Sequence, residues 1–250
     1  MSPDQPTLMF LGLHDALPDP ATEVALSSGV PGLVAAGGGL SVSRLIEAYS
    51  KGCFPWFSEN QPVLWWSPDP RMVLEVDKFR FHRSLRQWIK QQPSWEIRMD
   101  TAFDAVIEHC ANVPRLGQRG TWIVQDMVDA YKALHSAGFA HSVETWIEGQ
   151  LCGGLYCVSI GHAVFGESMF SLVPNSSKLA LAALIAFCKK HHIQQVDCQQ
   201  NTPHLALMGA REIPRRAFLS HIQAAQVQPP LNWHFQPLYW SEFSHSPVVP

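Results

Sequence analysis

What this 250-residue chain lacks narrows its class before any motif is read. No run of about 18 apolar residues occurs, so no membrane span is expected. The N-terminus has neither the basic n-region nor the apolar h-region of a signal peptide, and the chain is expected in the cytoplasm. Six cysteines, at 53, 110, 152, 157, 188 and 198, include no C-x-x-C pair; free thiols fit that pattern better than a disulfide frame or a zinc site. Charge is sparse, 16% of residues with a net of −3, so the molecule as a whole is no polyanion binder. A nucleic-acid partner must then be held by a local patch. No P-loop, G-x-G-x-x-G or G-x-S-x-G occurs, and the helical i, i+4 histidine pair of a zincin is missing. An apolar fraction of 46% is enough for a sizeable core, in one large domain or two small ones.

What is present in excess sits between Gly52 and Arg71: three of the nine tryptophans, Trp56, Trp65 and Trp66, and four of the nineteen prolines. Proline fixes φ and restricts the residue before it, so this stretch is expected to be neither regular helix nor central strand. A stiff aromatic segment suits a flat ring exposed in a cleft, able to stack on a base, although most such rings are core filler.

Residues 1–40, with five prolines and a Gly-Gly-Gly at 37–39, read as an irregular lead-in. Val42, Leu45, Ile46 and Tyr49 then mark a short amphipathic helix stopped by Gly52, and Met72 to Val76 a strand. Five basic residues, Lys78, Arg80, Arg83, Arg86 and Lys90, crowd the next segment. Arg83, Arg86 and Lys90 share one helical side, with Leu85, Trp88 and Ile89 on the other. Such a stripe is usually a solvated surface, but in a net-acidic chain it is the best candidate for phosphate contact. Thr101 to Cys110 follows as a helix with a near capping box from Thr101 and Asp104, then a helix from Val124 to Leu134. Short β-prone runs at 142–147, 151–159 and 163–170 form an antiparallel meander. Asn175 caps a long apolar helix to about His191, Ile193 to Cys198 is a strand, and Pro214 to Gln226 a last helix before an extended, docked tail. The class is α+β.

Two polar clusters follow apolar strands: Gly166-Glu167-Ser168-Met169-Phe170-Ser171 and Asp197-Cys198-Gln199-Gln200-Asn201. A carboxylate at the end of a buried strand is costly unless paired, solvated or used, and two from neighbouring strands could position a proton donor or hold a cation. Each alone reads better as a helix cap or a surface turn. Cys198 with His204 or His162 would make a thiol nucleophile, though no catalytic signature surrounds it. His191, His192 and His82 are weaker metal candidates still.

Five multi-residue stretches, in order, carry a resemblance: Gly52-Cys53-Phe54-Pro55-Trp56-Phe57-Ser58, Leu64 through Ser67-Pro68-Asp69-Pro70-Arg71, Gly120-Thr121-Trp122-Ile123, Gly166 through Ser171, and Asp197-Cys198-Gln199. Together they resemble the motifs of the leucyl/phenylalanyl-tRNA–protein transferase family, over residues of about 30 to 220. The resemblance implies an enzyme that moves Leu or Phe from leucyl-tRNA or phenylalanyl-tRNA onto proteins with an N-terminal Arg or Lys, which then enter N-degron proteolysis. It implies a small N-terminal domain, 1–74, and an acetyltransferase-like (GNAT-like) domain, 75–250, with a mixed, largely antiparallel sheet. It implies no cofactor, no metal, no membrane association and a monomer. By the same resemblance Trp56 and Trp122 meet the terminal adenosine of the tRNA, and Tyr131, Leu155, Val164, Leu184 and Val196 bind the donor. Arg83, Arg86 and Lys90 fall at its tRNA-binding cluster, and Glu167, Asp197 and Gln199 at the reacting groups. Ester aminolysis is downhill, so orientation, a proton path and oxyanion stabilisation are the needs. Gln199 would orient the amine or donate to the oxyanion; Asp197 would hold Gln199, attract the amine or take its proton. A CoA-dependent N-acetyltransferase and a non-catalytic tRNA-binding module are the alternatives, and the choice among Leu, Phe and Met donors stays open.

Overall fold

The structure, a computed structural model, describes residues 7–22, 28–112 and 123–243. Two sheets organise it. The small sheet contains β1 (Phe10–Leu11), β2 (Leu33–Gly37), β3 (Phe54–Pro55) and β4 (Leu64–Trp66), in the order β1-β2-β4-β3. The segment expected to be irregular before residue 40 thus supplies two strands, and the Trp-Pro stretch supplies β4, a central strand rather than the non-strand expected. No proline falls within Leu64–Trp66, so its ladder donors are intact on both sides: β2 and β3 pair with it antiparallel.

Helix α1 (Val42–Ser50) connects β2 to β3. Its start is fixed by the Ser41 hydroxyl, which accepts from the Arg44 N–H at 3.2 Å. Its stop is fixed by Gly52, which has φ +72, a conformation glycine enters without the Cβ penalty; a Cβ there would also press on Leu219 Cδ2 at 2.5 Å.

The large sheet has seven strands: β5 (Arg71–Glu75), β6 (Trp95–Met99), β7 (Ala140–Ile147), β8 (Gln150–Ile160), β9 (Ala163–Ser171), β10 (Gln195–Gln199) and β11 (Arg211–Ile213). Their order is β11-β5-β10-β9-β8-β7-β6, antiparallel throughout except for the parallel pair β9/β10. The expected class, α+β with a mixed and largely antiparallel sheet, is the class observed. Because β5 already belongs to the large sheet, the change of sheet falls between Trp66 and Arg71.

Among the described residues the remaining α-helices are α2 (Arg83–Ile89), α3 (Phe103–Asn112), α4 (Gln125–Ser136), α5 (Ser176–Lys190), α6 (Pro203–Leu207) and α7 (Arg215–Ala225). Strand alternation sends Tyr156, Val158, Phe165 and Phe170 to one face, where they join α1, α3, α4, α7 and the small sheet in one apolar cluster. Leu155, Cys157, Val164 and Val196 go to the opposite face with α2, α5 and the tail residues Trp233, Tyr239 and Trp240. Helix α5 is apolar nearly all round because the sheet and the tail cover it on both sides.

Two expected caps are made differently. Asn175 does precede α5, but its backbone is left-handed (φ +72) and its side-chain oxygen accepts from Lys178 Nζ at 3.0 Å instead of from the helix. At α3 the Thr101 and Ala102 N–H groups donate to Glu144 Oε1, at 2.9 and 2.8 Å, and Glu144 also takes the Thr101 hydroxyl. A buried carboxylate from β7 thus replaces the local Thr101–Asp104 box. No helix among the described residues is long and apolar enough to cross a membrane.

Candidate active site

The site forms where the pairing of β9 and β10 ends. Their parallel register runs Val196 with Val164 and Asp197 with Phe165. Both strands are bulged just beyond. On β9, Tyr156 faces Ser168 and Cys157 faces Gly166, so Glu167 is the extra residue. On β10, Asp197 faces Val73 and Gln199 faces Met72, so Cys198 is the extra residue. A bulge re-aims the side chains around it, and these two turn Glu167 and Gln199 toward each other. Gln199 Nε2 donates to Glu167 Oε1 at 2.9 Å.

Two tyrosines complete the ring of donors. The hydroxyl of Tyr49, from α1, donates to Glu167 Oε1 at 2.7 Å, and that of Tyr131, from α4, donates to Oε2 at 3.3 Å. The two hydroxyls also touch each other. Glu167 is half-buried, and burial pushes its carboxyl up to about 7; the Asp197 charge adds to the rise, while Tyr49, Gln199 and Tyr131 pull it down. Burial and the Glu167 charge hold both tyrosine hydroxyls well above their usual pKa, so they stay protonated donors. A carboxylate that changes charge near neutrality, surrounded by neutral donors, is suited to taking a proton.

Behind it lies a second unit. Asp197 is buried and receives a fork from Arg71: Nε to Oδ1 at 2.8 Å and Nη2 to Oδ2 at 2.6 Å. Oδ1 also accepts the Gln199 backbone N–H at 2.9 Å. Arg71 thus offsets the Asp197 charge in part, whereas Glu167 makes no ion pair among the described residues.

Comparison with known proteins decides between the readings. A family model described as "Leucyl/phenylalanyl-tRNA protein transferase" matches residues 73–223, and its N-terminal domain model matches 38–69. Curated relatives named leucyl/phenylalanyl-tRNA–protein transferase include one from a Polaromonas species, 56% identical over 88% of both chains. Another, from Albidiferax ferrireducens, is 53% identical over 97% of this chain and 96% of its own. The chain belongs to this family. As a member of the leucyl/phenylalanyl-tRNA–protein transferases it is an aminoacyltransferase, with aminoacyl-tRNA as donor and protein as acceptor. Solved structures overlap it loosely. A functionally unknown conserved protein from Staphylococcus epidermidis does so at 9% identity, covering 73% of this chain and 68% of its own, with a TM-score of 0.36. An aminoglycoside N-acetyltransferase does so at 15% identity, covering 57% and 93%, with a TM-score of 0.30. At such scores the likeness says nothing of activity.

The sequence-derived candidates of this transferase differ in where the structure places them. Glu167, Asp197 and Gln199 come together, as described. Leu155, Val164, Leu184 and Val196 are buried in one apolar cluster with Cys188, on the sheet face opposite Tyr131. Tyr131, expected among the substrate contacts, has no exposed surface and meets Glu167 instead. Trp56 is 39% exposed, its ring tilted against Trp66 at 5.7 Å, and Trp66 Nε1 donates to the Trp56 carbonyl at 2.7 Å. Trp122 lies outside the described residues.

Arg83 and Lys90 are exposed and Arg86 is half-buried over the Phe81 ring at 5.0 Å; none of the three makes an ion pair among the described residues. The Cys198 thiol is pushed far above its usual pKa by burial and donates to the Val196 carbonyl at 3.7 Å, which makes it inert rather than nucleophilic. The 3.6-residue pattern marks Tyr49 only as a core residue of an amphipathic face, and nothing local marks Arg71 as a site residue. Tyr49 carried the only available signal: a hydroxyl on an otherwise apolar helix face needs a buried partner.

Proposed function

We propose that the chain transfers Leu or Phe from its tRNA ester to the α-amine of proteins that begin with Arg or Lys, with Glu167 as the proton acceptor. The observation that carries this reading is the Glu167 carboxyl, raised to about 7 and ringed by Tyr49, Tyr131 and Gln199. The incoming α-amine gives a proton to Glu167, and its nitrogen lone pair attacks the ester carbonyl. The new C–N bond forms, the C–O bond to the ribose breaks, and the departing 3′-oxygen takes the second proton of the attacking nitrogen, relayed through the ribose hydroxyls, while Glu167 later releases the first to solvent. Gln199 aligns the amine, with its carboxamide already held against Glu167. Trp56 stacks on the terminal adenosine, Leu155, Val164, Leu184 and Val196 form the apolar receptor for the donor side chain, and Arg83, Arg86 and Lys90 hold phosphates. Because Asp197 is paired with Arg71, Glu167 supplies the negative charge that favours a cationic N-terminal side chain.

In this reading the chain up to Trp66 forms a small domain that carries the adenosine platform, and the chain from Arg71 onward, β5 included, forms a catalytic domain. The enzyme works as a cytoplasmic monomer, and its products enter N-degron proteolysis. The test uses leucyl-tRNA and four peptides differing only in their first residue, Arg, Lys, Ala or Glu. Leu addition to the Arg and Lys peptides alone is the expected result. Equal addition to the Ala peptide would overturn the acceptor assignment.

A further inference from the structure

Arg71 opens β5, and its guanidinium is wholly buried between two aromatic faces, 4.8 Å from the Phe54 ring centroid and 4.4 Å from that of Phe218. One of these rings comes from the small sheet and the other from α7. The flat cation is thus clamped on both sides and cannot swing away from Asp197, on which it forks. Nη1 has no partner, so the guanidinium is committed to this one carboxylate among the described residues.

The carboxylate, once fixed, does a second thing. Its Oδ1 accepts the backbone N–H of Gln199. That residue has φ +61, the left-handed region that a side chain other than glycine enters at a cost, and the turn is closed by the Gln200 N–H donating to the Cys198 carbonyl at 2.7 Å. A backbone in so sparsely populated a conformation persists only where its surroundings over-determine it. Here the Asp197 carboxylate holds the N–H of the strained residue, and the carboxamide at the other end of the same residue meets Glu167 at 2.9 Å. A chain of contacts therefore runs from Arg71 through Asp197 and the Gln199 backbone to the Gln199 side chain.

We propose that Arg71 is a positioning residue for the transfer: by locking Asp197 it holds Gln199 in its left-handed turn and sets the carboxamide that aligns the acceptor amine. Asp197 is then a buried strut and not the base. The proposal rests on the reading of Gln199 as the amine-aligning group, and the test separates the two.

Removing one partner would strand a buried charge, so the decisive variant replaces both, Arg71→Met with Asp197→Leu, a swap for apolar residues that is often neutral or stabilising. It keeps the packing between Phe54 and Phe218 and removes the acceptor for the Gln199 N–H. The expected result is a melting temperature near that of wild type, with kcat lower by about 100-fold and KM for leucyl-tRNA within about threefold. Adding Gln199→Ala to the paired variant should cost nothing more, while Gln199→Ala alone should cost as much as the pair. A folded paired variant with kcat within about threefold of wild type would overturn the proposal, as would a Gln199→Ala effect equally large in both backgrounds. If Gln199→Ala alone leaves kcat unchanged, the reading of Gln199 fails and the role of Arg71 falls with it. Should the paired variant not fold, Arg71→Lys, which keeps the charge and loses the fork, decides: about a tenfold fall in kcat supports the proposal and an unchanged kcat refutes it.

Discussion

Tyr49 and Glu167 are 118 positions apart in the chain, and the hydroxyl of the first donates to the carboxylate of the second at 2.7 Å. The donor sits on the helix between the strands of the small sheet and the acceptor on a bulge of the large one, so one hydrogen bond ties the two sheets together at the reacting group. Tyr49→Phe removes that donor and keeps the ring packed on Phe165, 5.0 Å away. A hydrogen bond to a charged group contributes about 1.5–3 kcal/mol, and this one favours ionised Glu167. The variant should therefore fold, and the acid limb of its pH–kcat profile should move to higher pH. An unmoved limb would mean that the hydroxyl does not act on Glu167.

The same carboxyl sets the pH dependence. If Glu167 must be ionised to take the proton, kcat should rise with pH through about 7 and level off above it. Glu167→Gln should lose that limb along with a factor of about 10²–10⁴ in rate. Stability runs the other way. A carboxyl raised from 4.5 to about 7 contributes fully below 4.5 and loses that contribution as pH rises through about 7. Glu167→Gln should therefore gain on the order of 1–3 kcal/mol over wild type near pH 8, and that gain should vanish toward pH 4. Melting curves across that range measure it.

The sequence made legible whatever local pattern controls. The meander at 140–171 and the helices at 125–136 and 176–190 were readable because alternation and 3.6-residue periodicity extend over many residues there. Glu167 and Gln199 were legible only as members of motifs. The bulges that face them toward each other depend on pairing with β8 and β5, which no local pattern encodes. Arg71 ends the Trp-Pro stretch with no local sign of a role; its role comes from Phe218 and Asp197, both well over a hundred positions away. Glu144 was hidden for the same reason. It lies in the middle of β7, which is buried on both faces, so no alternation singles it out, and the helix N-terminus it caps begins 43 residues earlier.

Trp56 and Trp65 divide platform from packing. Trp56 is the exposed ring of the stretch, while Trp65 has no exposed surface and donates from Nε1 to the Gly37 carbonyl at 2.8 Å. Stacking a base on an aromatic ring contributes about 1–3 kcal/mol, so Trp56→Ala should raise KM for a minimal aminoacyl-adenosine donor by about 5- to 150-fold with little change in melting temperature. Trp65→Ala removes a fully buried indole and should cost about 3–5 kcal/mol of stability. Equal effects of the two changes on stability would end the platform assignment.

The cationic stripe on α2 and its C-cap residue Lys90 is separable from the chemistry by salt. Arg83, Arg86 and Lys90 make no ion pair among the described residues, so their charge is available to phosphates instead of being matched within the fold. Affinity carried by released counterions falls linearly with log salt, by slightly less than one unit of slope per phosphate contact. Replacing all three residues with Gln should weaken full-length aminoacyl-tRNA and reduce the slope of log affinity against log salt by about two to three units. The minimal aminoacyl-adenosine donor lacks the phosphates of the stem, and its KM should stay unchanged in the same variant. A solvated surface stripe with no phosphate partner would leave both donors and the slope unaffected. Binding titrations at several salt concentrations, run with each donor, distinguish the two.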